Sequence, residues 1–120
     1  MLFRSKVKAP SPVVTFLIGG PSRRHSFDTA TQARIVEVVR GVNGTALVTA
    51  SRRTPPELVK ALRETAATLH TGDGPNPYLS WLASADAVVV TEDSTNMLVD
   101  ACATEVPVFR IPVAGDAGKL

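Results

Sequence analysis

The 120-residue sequence predicts an α/β fold: a five-stranded parallel sheet of order 3-2-1-4-5 with helices on both faces. Three observations predict it. Short apolar runs alternate along the chain with stretches in which apolar residues recur at helical spacing. The run Ala87-Val88-Val89-Val90 is apolar without alternation, as in a parallel strand buried on both sides. Polar residues suited to binding gather in the loops that follow strands, whereas a loop such as Val42-Asn43-Gly44 is a plain turn. Right-handed crossovers then favour the stated order and a Rossmann-like three-layer sandwich.

In chain order, residues 1–12 end in Ala9-Pro10-Ser11-Pro12, an extended linker. The first strand is VVTFLI, residues 13–18, and it runs into Gly19-Gly20-Pro21-Ser22-Arg23-Arg24-His25. Asp28 or Thr29 suits the cap of a helix carrying Ile35, Val38 and Val39, which Gly41 to Gly44 terminates. The second strand spans residues 46–49 and leads into Ser51-Arg52-Arg53. Thr54-Pro55-Pro56-Glu57 reads as a threonine cap, a proline at the helix start and a capping-box glutamate. Leu58, Ala61 and Leu62 form that helix's buried face.

A third strand near residues 67–70 leads into Gly72-Asp73-Gly74-Pro75-Asn76-Pro77. Asn76 would cap a helix over 77–85 carrying Leu79, Trp81 and Leu82, with Tyr78 and Trp81 read as packing residues. After the fourth strand, Thr91-Glu92-Asp93-Ser94 opens a helix over 95–104, with Leu98, Ala101 and Cys102 on its apolar stripe and Cys102 read as core. Pro107 ends it, Val108-Phe109-Arg110-Ile111 forms the fifth strand, and residues 113–120 stop without a closing helix. One domain over 13–112 is expected between the 1–12 linker and the 113–120 tail, which reads as truncated.

Composition is that of a globular protein, 44% apolar and 20% charged. The net charge of +2 is too small to argue for nucleic acid. The sequence contains no transmembrane segment and no signal peptide, although peripheral membrane association of a longer protein stays open. One cysteine excludes an intramolecular disulfide and fits a cytoplasmic setting. His25 and His70 lack partners at metal spacing, so neither a metal nor a cofactor is expected.

In this topology all strand-to-helix loops emerge on one edge, and a ligand binds where the strand order reverses, between the first and fourth strands. Gly19 and Gly20 allow close backbone approach, although they match neither a dinucleotide nor a P-loop fingerprint and also fit a plain turn. Ser22, Arg23, Arg24, Ser51, Arg52 and Arg53 supply hydroxyls and guanidinium forks that suit a diphosphate, or are simply solvated. Ser94, Thr95 and Asn96 offer a helix start with free N–H groups, a phosphate seat or ordinary capping. Asp100, further along that helix, suits ribose hydroxyls or solvent, and Asn76 completes the cleft. Glu92 and Asp93 bring negative charge beside the proposed anion. At least Glu92 should therefore turn toward Arg52, Arg53 or another domain, and if both acids face the cleft unpaired, phosphate does not bind there.

The strings GGPSRRHSFD, LVTASRRTPPELVKAL, GDGPNPYLSWLASADAVVVTEDSTNMLVDACAT and PVF, in that order, resemble the mitochondrial fission ELM ("elongated mitochondria") family. Bacterial members carry labels such as nucleoside-diphosphate-sugar epimerase or glycosyltransferase. The resemblance covers nearly all of residues 13–111 and implies similarity to the C-terminal, donor-binding half of GT-B glycosyltransferases. It implies that Gly19-Gly20 meets a diphosphate, that Ser94-Thr95 supports the phosphates, and that Asp100 holds the ribose. Two departures stand out: Glu92-Asp93 replaces the usual glycines, and Asp100 replaces a longer glutamate.

The leading expectation is the half of a GT-B-like glycosyltransferase that binds a nucleotide-sugar, of UDP type. The catalytic base is unassigned, and the acceptor-binding N-terminal half is missing, so this stretch alone is not expected to turn over. The alternative is a non-catalytic Rossmann-like scaffold recruiting a protein partner, as dynamin-like fission machinery is recruited by plant relatives. A phospho-receiver domain shares the topology, but Asp73 is poorly placed and Arg110-Ile111-Pro112 offers no lysine.

Overall fold

A computed structural model of the chain describes residues 12–21, 25–71, 77–91, 93 and 101–115. Its elements are β1 (Val13–Ile18), β2 (His25–Ser26), α1 (Thr29–Arg40), β3 (Thr45–Ala50), α2 (Pro56–Arg63), β4 (Thr68–His70), α3 (Tyr78–Ser84), β5 (Ala87–Thr91), β6 (Val108–Ile111) and β7 (Ala114–Gly115). The main sheet has the order β4-β3-β1-β5-β6. All its pairings are parallel, which is the expected 3-2-1-4-5 arrangement of its own five strands. Val14↔Ala46 and Val14↔Ala87 fix the register of β1 against both neighbours, so the reversal of order falls at β1 and β5.

The alternation of side chains along a strand divides the core in two. Phe16, Ile18, Val48 and Val89 face α1 and α2, packing with Ile35, Val39, Leu58 and Leu62. Leu17, Val88 and Val90 face the other way and pack with Leu82 of α3, Ala85 and Ala101. The unbroken apolar run of β5 is thus required by two cores, one on each side. Thr15 is fully buried on the second face, where its hydroxyl donates to the Trp81 carbonyl at 2.8 Å. That bond ties α3 to the central strand.

The amino edge is closed by Asp86. Its carboxylate accepts from the Val13 N–H at 2.8 Å, and its own N–H donates to the Val13 carbonyl at 2.7 Å. Beyond β6 the chain turns back: Val113 is buried with Phe27 and Ile111 in the first core. Ala114 and Gly115 then pair antiparallel with Ser26 and His25. This ribbon, β2 with β7, has too few residues to leave a periodic signal, and it ties part of the segment read as a tail to the loop after β1.

Several local expectations shift. Asp28, not Thr29, caps α1, accepting from the Thr31 N–H at 2.8 Å. The expected threonine cap of α2 is replaced by Pro55, which offers no side-chain cap, because the Thr54 hydroxyl bonds elsewhere. At α3 the N-cap position is Pro77, and Asn76 lies outside the described residues. Leu79 is 76% exposed, since the buried side of this short helix falls on Leu82 and Ser84. Cys102 is exposed rather than core: Ala101 takes the buried position, and the next residue is rotated about 100° away along a helical turn.

Two stability predictions follow from these contacts. Ile35→Ala, which empties a fully buried position, should lower unfolding free energy by about 2–5 kcal/mol in urea denaturation. The Asp28 carboxyl is held below its ordinary value of 3.8, chiefly by the Thr31 backbone N–H and then by the Thr31 side chain. A depressed folded-state pKa stabilises above the unfolded value and loses that effect as pH falls through the folded one. Asp28→Ala should therefore destabilise at neutral pH, and its deficit against the parent should shrink as acid protonates the cap, whereas Asp28→Asn should stay close to the parent.

Candidate functional site

The loops after β1, β3 and β5 meet at the carboxyl edge, and side chains bond them directly. The Gly19 N–H donates to the Thr91 hydroxyl at 2.9 Å, in a buried contact. The Gly19 carbonyl accepts from the Thr54 hydroxyl at 2.6 Å, also buried. Thr54 Oγ1 in turn accepts from the Ser51 N–H at 2.9 Å and lies 3.2 Å from Ser51 Oγ, which accepts from the Arg53 N–H at 3.2 Å. Finally, the Gly20 N–H donates to Asp93 Oδ2 at 3.2 Å. One peptide segment, Gly19-Gly20, is thus held from both sides.

Gly20 is sterically required by backbone, whereas Gly19 is required only while the Asp93 side chain keeps its present position. A Cβ on Gly19 would overlap the Asp93 carboxylate, and a Cβ on Gly20 would overlap the Arg53 backbone carbonyl. The close approach that the glycines allow is therefore already used, by Asp93 and by the Ser51–Thr54 turn. Thr54 and Thr91 are 5% and 0% exposed, so their hydroxyls are internal fastenings, not ligand contacts. Asp93 Oδ1 is buried and has no hydrogen-bond partner. Arg52 and Arg53 project from the same turn into solvent.

The structure brings together Gly19, Gly20, Ser51, Arg52, Arg53 and Asp93, from three separate loops. Ser22, Arg23, Arg24, Asn76, Glu92, Ser94, Thr95, Asn96 and Asp100 lie outside the described residues. Of the expected acid pair, Asp93 turns to the Gly20 backbone and not to a guanidinium. Thr54 and Thr91 join this edge although neither is among the residues expected there from the sequence. Thr91 is the first hydroxyl after an apolar run, a position that marks a strand end at the ligand edge. Thr54 fits a capping box, which points its hydroxyl to α2 instead.

Two clefts flank α1, and neither is lined by these six residues. One, of about 560 Å³, lies against α2, where the Gln32 side chain bridges the Phe27 carbonyl at 2.7 Å and Glu57 at 3.3 Å. The other, of about 600 Å³, lies between α1 and Arg110, Ile111 and Pro112. Among the described residues no three His, Cys, Asp or Glu side chains gather as a metal would need.

The family profile described as Mitochondrial fission ELM1 matches residues 2–120. The chain belongs to the mitochondrial fission ELM1 family. Similarity extends to a curated relative, "Mitochondrial fission protein ELM1" of Arabidopsis thaliana, 32% identical over 111 residues and 85% of this chain. The chain spans 26% of that relative's length. No solved structure matches it. Among the described residues of this ELM1-family chain, no helix is long and apolar enough to cross a membrane.

The clamp makes two contrasts measurable. Thr54→Val strands the Gly19 carbonyl and the Ser51 N–H, and should cost about 2–3 kcal/mol in urea unfolding, whereas Thr54→Ser should recover most of it. Gly20→Ala should destabilise by about 1–3 kcal/mol, because it meets backbone. Gly19→Ala should cost less, because the Asp93 side chain can rotate aside.

Proposed function

We propose that residues 13–112 form the donor-binding unit of a GT-B-like glycosyltransferase, taking a nucleotide-diphosphate-sugar of UDP type at the carboxyl edge. The observation that carries this reading is the meeting of three strand-end loops at the reversal of strand order, with Arg52 and Arg53 exposed beside the Gly19-Gly20 segment. Guanidinium forks there would take diphosphate oxygens and offset the charge that develops on the departing nucleoside diphosphate when the anomeric carbon is attacked. Ser22, Arg23, Arg24, Ser94 and Thr95 would extend the phosphate contacts, and Asp100 would hold the ribose. The acceptor-binding surface and the catalytic base would come from a further domain, in a cytoplasmic setting.

The name of the plant relative supports a second reading, a scaffold acting in mitochondrial fission through a protein partner. One contact favours it: the Gly20 N–H, which a phosphate would need, is already paired with Asp93. Titration calorimetry of the full-length protein with UDP and UDP-sugars separates the two. The donor-binding reading expects saturable binding that Arg52→Ala/Arg53→Ala weakens about tenfold or more, the loss of at least one charge-assisted hydrogen bond. No heat with any nucleoside diphosphate leaves the scaffold.

A further inference from the structure

We infer that Asp93 is an internal stand-in for the ligand's phosphate: its carboxylate occupies the anion seat against Gly19 and Gly20, and an anionic ligand binds by displacing it. This rests on the reading that a diphosphate approaches the Gly19-Gly20 segment. Four observations carry it.

The Gly19 N–H is committed to Thr91 in a buried bond, which leaves the Gly20 N–H as the donor a ligand would compete for, and Asp93 Oδ2 holds it at 3.2 Å. The space beside Gly19 that only a residue without a Cβ leaves open is filled by the same carboxylate, an anion where an anionic ligand would sit. Two anions cannot share that seat, because charge repulsion and a single donor both forbid it.

The third observation concerns how firmly Asp93 is held. One carboxylate oxygen has a single hydrogen bond, and the other, Oδ1, is buried without any. A buried carboxylate oxygen left unpaired is costly, so this closed arrangement is poorly satisfied and poised to open. Fourth, nothing else in the clamp depends on Asp93. The Thr54–Gly19, Thr91–Gly19 and Ser51–Thr54 bonds persist if its side chain rotates away. Displacement therefore opens the seat without dismantling the edge, and exposed Arg52 and Arg53 stand on the adjoining turn to meet the incoming charge.

The experiment is calorimetry of the full-length protein and its Asp93→Asn and Asp93→Ala variants with inorganic pyrophosphate and, separately, with UDP. Asp93→Asn preserves shape, which guards against a folding defect in Asp93→Ala. If the carboxylate competes with the ligand, Asp93→Ala, which frees the Gly20 N–H, should bind pyrophosphate about tenfold or more tightly than the parent, the worth of one hydrogen bond to a charged group, and Asp93→Asn, which removes the charge but keeps an oxygen on that N–H, should tighten it by less. The Gly20 amide resonance of the parent should also shift as pyrophosphate saturates. Variants that bind pyrophosphate no tighter than the parent, or a complete absence of pyrophosphate binding, overturn the inference. If pyrophosphate tightens while UDP binds no form, the nucleotide-sugar reading fails and the displaced carboxylate stands. If UDP binds parent and variants equally and pyrophosphate affinity does not change, the reverse holds.

Discussion

The carboxyl edge of this protein depends on how one dipeptide is gripped. Gly19 presents its N–H to Thr91 and its carbonyl to Thr54, so the end of the central strand is fastened to the ends of both neighbours. These bonds are buried, where an unmade partner costs more than a made bond gains, so each threonine is specified by its opposite number. The two flanking loops cannot drift without breaking them. Among the described residues, Arg52 and Arg53 sit on the Ser51–Thr54 turn that this fastening holds, and Asp93 adjoins it through the Gly20 N–H.

At the opposite edge, Asp86 performs a matching task with the first residue of β1. The central strand is therefore pinned at both ends by side chains: Asp86, just before β5, at one end, and Thr91 of β5 with Thr54, beyond β3, at the other. Between the pins, the two cores lie on opposite faces and share only the strands, which explains why β1 and β5 are apolar on both sides. A rigid, doubly covered sheet with its polar chemistry at one end is the arrangement in which strand-end loops can be combined into a site without cost to the core.

Sheet order, the two-sided burial of β5, most of the buried faces of α1 and α2, and the edge on which polar loops gather were legible in the sequence, because each follows from local periodicity or crossover handedness; Val38, on the expected apolar face of α1, is instead exposed, and Thr31 is buried there. Gly19, Gly20, Arg52, Arg53 and Asp93 were legible as members of one edge for the same reason. What each contacts was not. Thr54 fits a capping box as well as any threonine, and only the arrival of Gly19, 35 residues earlier in the chain, redirects its hydroxyl. Leu79 and Cys102 fall on plausible apolar stripes, yet the buried positions are taken by Leu82 and Ala101. The β2–β7 ribbon joins two residues to two residues far away, a pairing without any periodic signature.

The sequence by itself thus determined the α/β class, the strand order, the ELM family and the Gly-Gly turn after the first strand, since patterns of period two and 3.6 and short local strings encode these. Tertiary structure alone decided what the two glycines are for. The sequence suggests space left for a ligand's phosphate, whereas in the folded chain that space holds the carboxylate of Asp93 and the backbone of Arg53. The physical reason is distance along the chain: 73 residues separate Gly20 from Asp93, and no local rule governs which oxygen reaches a given N–H.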